Sequence, residues 1–364
     1  MKKTLHTLLC LAALGTTTFA QSPLGNPAAG MWNDTEFVKS FTASYGVLAG
    51  YEPEISDAEK DALRGLLNII KSNPANAIRQ LEPQIKSSSS AAFDFILANL
   101  YFQQNKLSDA EKYYRNAVLK YPNFRRAHKN LGLVLVQANK YSDARVSLSK
   151  ALELGDVDGS AYGLLGYCYL TDKLYYPSEA AYRKAILIQP KAKDWQLGLA
   201  RCLVETEKNR EAIALFDSLI KQNPDDADLW LLQANAYIGL DKTLAAAQNI
   251  EVVRRMGKAT IPTLSMLGDI YVNNEMPGLA LNAYLGAIQI AGGKNPPAIM
   301  RTAIILVQSG SYQEAKELMG SIRSAATELT FEDELELLTL EARVARAEGE
   351  NEKALKLLTE IVER

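Results

Sequence analysis

The side chains that most often carry catalysis are scarce in this chain of 364 residues. Histidine occurs as His6 and His128, and cysteine as Cys10, Cys168 and Cys202. The sequence contains no Cys-x-x-Cys, His-Glu-x-x-His or Gly-x-Ser-x-Gly pattern, and neither a phosphate-binding nor a dinucleotide-binding glycine loop. This inventory predicts a protein that is not an enzyme and that has no catalytic, cofactor or metal site.

A small residue recurs along most of the chain, and this pattern indicates which structural elements must position any functional side chain. This column comprises Ala77, Ala110, Ala144, Ser178, Ala212, Ala246, Ala280, Ala315 and Ala354, with a spacing of 34 residues from Ala110 to Ala280. A second column lies twelve residues upstream, at Gly65, Ala98, Gly132, Gly166, Ala200, Ala234, Gly268, Ala303 and Ala342. Two such columns in register predict one helix-turn-helix unit copied many times. Since a single unit cannot bury its apolar face alone, the units must stack.

Larger residues recur in the same register. The repeat that starts at Ala91 contains Leu97, Ala98, Tyr101, Ala110, Tyr114, Ala117 and Pro122, and a later one contains Leu165, Gly166, Tyr169, Ser178, Tyr182, Ala185 and Pro190. The pattern resembles the tetratricopeptide repeat over roughly residues 58–364. The resemblance implies an all-α, right-handed superhelical solenoid of helix-turn-helix repeats that binds another protein or a peptide segment.

The repeat register divides the sequence into five parts. Residues 1–20 are predicted to be a signal peptide, and residues 21–57 a leader or amino-terminal cap. A degenerate first repeat covers residues 58–90, and the regular tandem array covers residues 91–329. Residues 330–364 are predicted to form a last repeat or carboxy-terminal cap.

The first twenty residues have the features of an export signal. Lys2 and Lys3 precede a short apolar run at residues 8–14, and small residues lead to an expected cleavage after Ala20. The apolar run is too short to span a membrane, and no other long one occurs. We therefore expect a periplasmic or secreted protein without a transmembrane segment. Acylation at Cys10 is a less favoured alternative, because a large residue precedes this cysteine.

The leader is rich in aromatic residues, at Trp32, Phe37, Phe41, Tyr45 and Tyr51. One interpretation is a cap that covers the apolar face of the first repeat. The other is a docking segment for a partner, or a strap that lies in the protein's own groove. The formal net charge of −2 leaves no basic field that would attract nucleic acid.

The two cysteines of the array occupy equivalent positions in adjacent first helices. Neighbouring helices lie roughly 8–10 Å apart, which exceeds the Cα separation of about 7 Å that a disulfide tolerates. Cys168 and Cys202 are therefore predicted to be buried thiols rather than a disulfide.

In arrays of this kind the first helices line a concave groove, and its columns supply the candidate partner-binding residues. They are Phe95, Asn99, Phe102, Arg126, Lys129, Asn130, Tyr167, Arg201, Asn235, Arg301 and Arg343. For the apolar members, packing between helices is the alternative, whereas the polar members have less structural reason to be there. Asn99 and Asn130 match the amide positions of the carboxylate clamp in chaperone-binding family members. Phe95, Ser160 and Leu164 stand where that clamp has other residues, so its basic part is missing.

Three hypotheses for the function follow from these residues. The favoured one is a scaffold of the bacterial cell envelope that binds a partner segment in its groove, with possible peripheral association with an envelope complex. The second is a structural component of an envelope machine, in outer-membrane assembly, secretion or pilus biogenesis, with contacts through edges and the convex face. The third is a glycan- or peptidoglycan-binding module, which would need exposed aromatic rings in the groove.

Overall fold

The computed structural model describes residues 52–291, 296–325 and 329–364. These residues form 18 α-helices, with no strand among them, so the predicted all-α repeat fold is confirmed. The helices are α1 Asp57–Ser72, α2 Pro74–Leu81, α3 Ala91–Gln103, α4 Leu107–Lys120, α5 Arg125–Gln137, α6 Tyr141–Glu153, α7 Gly159–Thr171, α8 Tyr175–Ile188, α9 Lys193–Glu205, α10 Asn209–Gln222, α11 Ala227–Ile238, α12 Thr243–Arg255, α13 Ile261–Asn273, α14 Pro277–Ala291, α15 Pro296–Gln308, α16 Tyr312–Ala325, α17 Phe331–Ala347 and α18 Asn351–Glu363. The predicted signal peptide, Cys10 and the aromatic leader as far as Tyr51 lie outside the described residues.

The chain divides into two compact units, one that extends to Leu215 and one that begins at Phe216. In the amino-terminal unit α3 packs on α4, α5 on α6 and α7 on α8, and each pair contacts the next. In the carboxy-terminal unit the pairs are α11 with α12, α13 with α14, α15 with α16 and α17 with α18. The first helices of these pairs form what we call the first-helix surface of each unit.

The turns between the two helices of a repeat confirm the predicted register. From the repeat of α3 and α4 onward, each contains one residue with a left-handed backbone, and six such residues follow one another at intervals of 34: Asn105, Asn139, Lys173, Glu207, Asp241 and Glu275. Gly310 and Gly349 continue the series, with the same longer intervals of 35 and 39 residues as the small-residue column. Because φ is near +58° at Asn105 and Glu275 alike, one turn geometry is repeated with different side chains.

The glycines of the upstream small-residue column allow the two helices of a regular repeat to approach closely. A Cβ atom added at Gly132 would lie 2.5 Å from Cγ of Leu148, and one at Gly268 would lie 2.2 Å from Cε1 of Tyr284. Since real Cβ atoms essentially never lie so close to other atoms, a side chain at Gly132 or Gly268 would force Leu148 or Tyr284 to shift. Close helix packing is therefore the structural reason for small residues in the upstream column.

The first repeat is degenerate in structure as well as in sequence. Its second helix, α2, has eight residues and is followed by a short 3₁₀ turn at Glu82–Gln84. A Cβ atom at Gly65 would meet nothing within 4 Å, so α1 lacks the close approach of the regular repeats. Tyr101 and Tyr113 stack on each other and both donate hydrogen bonds to Oε1 of Glu82, which ties this repeat to the next one.

Candidate functional site

The two amides that match the family's clamp positions are held by a buried tyrosine. Asn99 lies on α3 and Asn130 on α5, and the Asn130 Nδ2 donates to Oδ1 of Asn99 at 3.1 Å. The hydroxyl of Tyr114, on α4, donates to the same Oδ1 atom. Asn130 is only 5% exposed. This network corrects the expectation that these polar residues have little structural reason for their positions, because they satisfy one another inside the stack.

The aromatic candidates of the groove are buried. Phe95 and Phe102, on α3, are each almost fully covered, and the Phe95 ring centroid lies 4.8 Å from that of Phe124. Tyr167, on α7, packs edge-on against Tyr141 with a centroid distance of 5.8 Å. For these positions the structure supports packing between helices, the alternative that the sequence left open. Buried rings offer no stacking face to a sugar, so glycan binding is not favoured here.

Arg126, at the start of α5, binds a carboxylate from outside the repeats. Its Nε and Nη2 atoms donate to Oε1 and Oε2 of Glu52, each at 2.6 Å. Its guanidinium carbon lies 5.5 Å from the centroid of the Phe95 ring. A planar guanidinium that meets a carboxylate through two parallel bonds is a strong and orientation-specific contact. Arg126 is therefore positioned to recognise a carboxylate.

Lys129, one turn further along α5, is engaged by the loop before α7. Its Nζ donates to Oδ2 of Asp158 and lies 3.9 Å from Oδ2 of Asp156. Burial alone raises the pKa of Asp158, but the charge of Lys129, its hydrogen bond and the hydrogen bonds from Ser160 together outweigh burial and hold that pKa below its usual value. Burial raises the pKa of Asp156. Lys129 thus has intramolecular counter-ions and a structural role at the α6–α7 connection.

The remaining candidate residues differ from one another in their exposure to solvent. Arg201 on α9 and Asn235 on α11 are half-buried, and Arg343 on α17 is exposed. Arg301 belongs to α15, and its side chain lies outside the described part of the molecule. The structure brings Asn99, Asn130 and the Phe95–Arg126 pair together on neighbouring helices of the amino-terminal unit, whereas Asn235 and Arg343 belong to the carboxy-terminal unit.

Sequence reasoning missed Glu52, the residue that completes the Arg126 site. A single glutamate 74 residues upstream belongs to no repeat column, so no periodic signal could have found it. Sequence reasoning also missed the contact between Asp269 on α13 and Tyr284 on α14. The Tyr284 hydroxyl donates to Oδ1 of Asp269 at 2.7 Å, and a polar residue followed fifteen positions later by tyrosine is a pattern that the sequence does contain.

The side chains that could do chemistry have structural roles. Nε2 of His128 lies 2.8 Å from the carbonyl oxygen of Pro122, and at the same repeat position Gln196 and Trp230 donate to the carbonyls of Pro190 and Pro224. His128 is therefore the donor at a recurrent helix-to-helix connection. Burial lowers its pKa, which favours the neutral ring.

The two cysteines are buried free thiols, as predicted. Burial raises the pKa of Cys168 to about 12 and that of Cys202 to about 11. Since the thiolate is the reactive form, both groups are inert near neutral pH.

A surface groove of about 620 Å³ lies among α4, α5 and α6. Its cations Arg115, Arg145 and Lys150 each form an ion pair with a carboxylate, so the groove carries compensated charge rather than a site for an anion. Within the described residues no cluster of three or more His, Cys, Asp or Glu side chains could hold a metal ion. Over the same ranges, no helix combines the length and apolar character needed to cross a membrane.

Family models for the tetratricopeptide repeat match residues 71–123, 95–156, 130–194 and 179–236. Among solved structures, the C-terminal part of a TPR repeat-containing protein from Cytophaga hutchinsonii aligns with a TM-score of 0.55 at 12% identity, over 67% of this chain and 99% of that one. YrrB, described as a TPR protein with an unusual peptide-binding site, aligns at 20% identity with a TM-score of 0.48, over 52% of this chain and 96% of that one. A tetratricopeptide repeat protein from Parabacteroides merdae aligns at 17% identity with a TM-score of 0.44, over 72% and 98% of the two chains.

Proposed function

We propose that this chain is a protein-interaction scaffold of the bacterial cell envelope and that it binds a segment of a partner protein on its first-helix surface. The proposal starts from the family, because the chain belongs to the tetratricopeptide repeat superfamily. Stacked repeats of this kind form extended surfaces on which a partner segment is read by side chains at regular intervals. The interaction scaffold is the part of the proposal that the repeats themselves support. The envelope location and the surface used are its finer parts.

The choice of the first-helix surface as the binding surface rests on one observation. The six left-handed turns at intervals of 34 residues repeat one geometry, so the same columns of each first helix recur in register along the repeats of each unit. Within these columns Asn235 is half-buried and Arg343 is exposed, which leaves polar groups accessible to a ligand backbone. An amide offers both a donor and an acceptor to an extended segment. This arrangement suits a peptide better than it suits a small molecule.

The surface is tested by affinity capture with the tagged full chain from an envelope extract. We expect Asn235→Ala to lower the recovery of a specific partner several-fold, because a backbone-bonding amide is lost. Leu187→Gln is the matched control, since Leu187 is 82% exposed on the second helix α8 and a change there leaves the first-helix surface intact. Equal recovery by wild type and Asn235→Ala, with loss in Leu187→Gln, would reject the proposal.

The envelope location rests on the basic start, short apolar run and small residues of positions 1–20. It is tested by fractionating bacteria that produce the full chain and sequencing the recovered protein from its amino end. The proposal expects a periplasmic or secreted chain that starts at Gln21. A cytoplasmic chain that retains Met1 would reject this part of the proposal without affecting the repeat scaffold.

A second candidate function is a structural component of an envelope assembly that makes contact through its second helices. The observation that favours it is the exposure of large apolar residues there: Leu119 on α4 is 80% exposed, and Leu187 occupies the same column two repeats later. Exposed apolar side chains in register on one face are a feature of protein contact surfaces. The capture experiment distinguishes the two functions, since this one predicts loss of the partner in Leu187→Gln.

A further inference from the structure

The chain immediately before α1, residues 52–56, is tied to the first regular repeats, and we call it the strap. Besides the Glu52–Arg126 pair, the Ser90 hydroxyl donates to the carbonyl oxygen of Glu54 at 2.8 Å. The backbone N–H of Ser90 donates to Oε1 of Glu59 at 2.8 Å, just inside α1. The strap thus lies against the start of α3 and the start of α5, and its strongest contact is the ion pair.

The ion pair is shielded from water. The side chains of Glu52 and Arg126 are 10% and 23% exposed, whereas those of a surface pair such as Asp57 and Lys60 are 96% and 53% exposed. A surface pair contributes little, because water screens it and its side chains are free to move. Here two parallel bonds fix the geometry, and the Phe95 ring beneath the guanidinium adds a cation–π contact. Arg126 is therefore held ready in one orientation.

The counter-ion of Arg126 differs in kind from that of its neighbour. Lys129, on the same helix, is neutralised by Asp158 from the adjoining loop, so its pairing is part of the repeat stack. Glu52 belongs to no helix, and no regular secondary structure occurs between it and the start of α1 at Asp57. The strap can consequently leave Arg126 without unfolding any helix, whereas Asp158 cannot leave Lys129 without disturbing the α6–α7 connection.

We propose that Arg126 and the Phe95 ring form a carboxylate seat on the first-helix surface of the amino-terminal unit, and that Glu52 fills this seat as an internal ligand. An extended acidic segment of a partner takes the seat by displacing Glu52. This inference deepens the proposed function and rests on it, since it assigns the chemistry of one position on the same surface. A tethered ligand acts at an effective concentration on the order of millimolar, so the strap sets a threshold that a partner's affinity must exceed.

The seat is tested on the full chain with a synthetic probe peptide that has the sequence of residues 52–59 and carries a fluorophore at its amino end. Binding is measured by fluorescence anisotropy to wild type and to three variants. Glu52→Gln removes the internal carboxylate from the seat, and Arg126→Gln in the Glu52→Gln background removes the guanidinium. Glu54→Gln is the matched control, because the Glu54 side chain is exposed and the strap uses only its carbonyl oxygen.

We expect Glu52→Gln to bind the probe about tenfold more tightly than wild type, because the internal competitor is gone. Glu54→Gln should match wild type, and the double variant should lose the gain. A probe with Gln in its first position should bind wild type and Glu52→Gln equally weakly. Equal affinity of wild type and Glu52→Gln, or a gain that survives Arg126→Gln, would overturn the proposal, as would no binding by any variant. The thermal midpoint of the double variant confirms that it is folded.

Amide hydrogen exchange gives an independent measurement that needs no ligand. In Glu52→Gln the exchange of the amides of Ser56 and Ser90, which both donate to the Glu59 carboxylate beside the strap, should accelerate several-fold, while Glu54→Gln leaves both unchanged. Unchanged exchange in Glu52→Gln would show that the ion pair does not hold the strap. Neither measurement involves a partner, so failure of the seat is distinguishable from failure of the capture experiment.

Discussion

The repeats that begin with α3 and α11 carry asparagine at the same column position, yet the two residues have different surroundings. Asn99 accepts a hydrogen bond from Tyr114, fifteen residues later. At the corresponding distance from Asn235 the chain has Ile250, a buried residue that cannot donate. Among the described residues the Asn235 side chain has no hydrogen bond. At these two positions, the residue fifteen places further on decides whether the asparagine side chain serves the stack or remains accessible.

A third repeat supports this rule with different chemistry. Asp269 occupies the same column, and Tyr284, again fifteen residues later, donates to its carboxylate. Burial first, and the neighbouring carboxylate second, raise the pKa of Tyr284, so its phenol remains a donor at neutral pH. An amide and a carboxylate perform the same task because the phenol needs only an acceptor.

The largest effect is expected from removal of Tyr114, whose hydroxyl donates to Asn99. Tyr114 is fully buried, so Tyr114→Ala leaves a cavity and removes the hydrogen bond to Asn99, and we expect a loss of about 3–5 kcal/mol in the free energy of unfolding. Tyr114→Phe keeps the ring and should cost only about 1 kcal/mol. Urea denaturation of the full chain measures both. An equal loss in the two variants would mean that the hydroxyl, not the ring, dominates.

The glycine column gives a second comparison between regions. Gly132→Leu forces a side chain against Leu148 and should destabilise by about 1–3 kcal/mol. Gly65→Ala, in the degenerate repeat, meets open space and should stabilise α1 by roughly 0.5–1 kcal/mol. Thermal midpoints report both effects. If Gly132→Leu melted with wild type, the register of the close helix contact would be contradicted.

The asparagine comparison itself is sharpened by paired alanine variants. Asn99→Ala leaves the buried hydroxyl of Tyr114 and the amide of Asn130 without their shared acceptor, which should cost about 1–3 kcal/mol. Asn235→Ala removes no internal bond and should stay within about 0.5 kcal/mol of wild type. Urea midpoints distinguish the two. Similar losses of stability at both positions would show that the residue fifteen positions later does not decide the role of the asparagine.

The smallest effect is expected at the turns. Lys173 and Glu275 adopt a left-handed backbone that disfavours residues with a Cβ atom, so Lys173→Gly or Glu275→Gly should stabilise by roughly 0.5–1 kcal/mol. Gly310 holds the same conformation, and Gly310→Ala should destabilise by about 1 kcal/mol. The thermal midpoint should rise in the first two variants and fall in the third. Opposite signs would contradict a shared turn geometry.

The fold could be predicted from the sequence because its determinants are local and repeated. Small residues such as Gly132 permit close helix contact, and Pro122 and Pro190 follow the ends of α4 and α8 by two residues. Each of these effects acts within one repeat. Repetition in register makes such weak local signals unambiguous.

The site could not be predicted in the same way, because its contacts join residues that no period relates. The Glu52–Arg126 pair spans 74 residues and begins outside the repeats. The role of Asn99 depends on a hydroxyl from the next helix, which a list of column positions does not show. Column position tells which side of a helix a residue occupies, but its partners decide whether it is available to a ligand.

Site-specific photo-crosslinking tests most directly the claim that the first-helix surface binds the partner. A photoreactive phenylalanine analogue is placed at position 235 or, as the matched control, at the exposed position 187 of α8, in cells that produce the full chain. Our account predicts a discrete crosslinked partner from position 235 and none from position 187. The same partner crosslinked from position 187 alone would contradict the account and favour contact through the second helices.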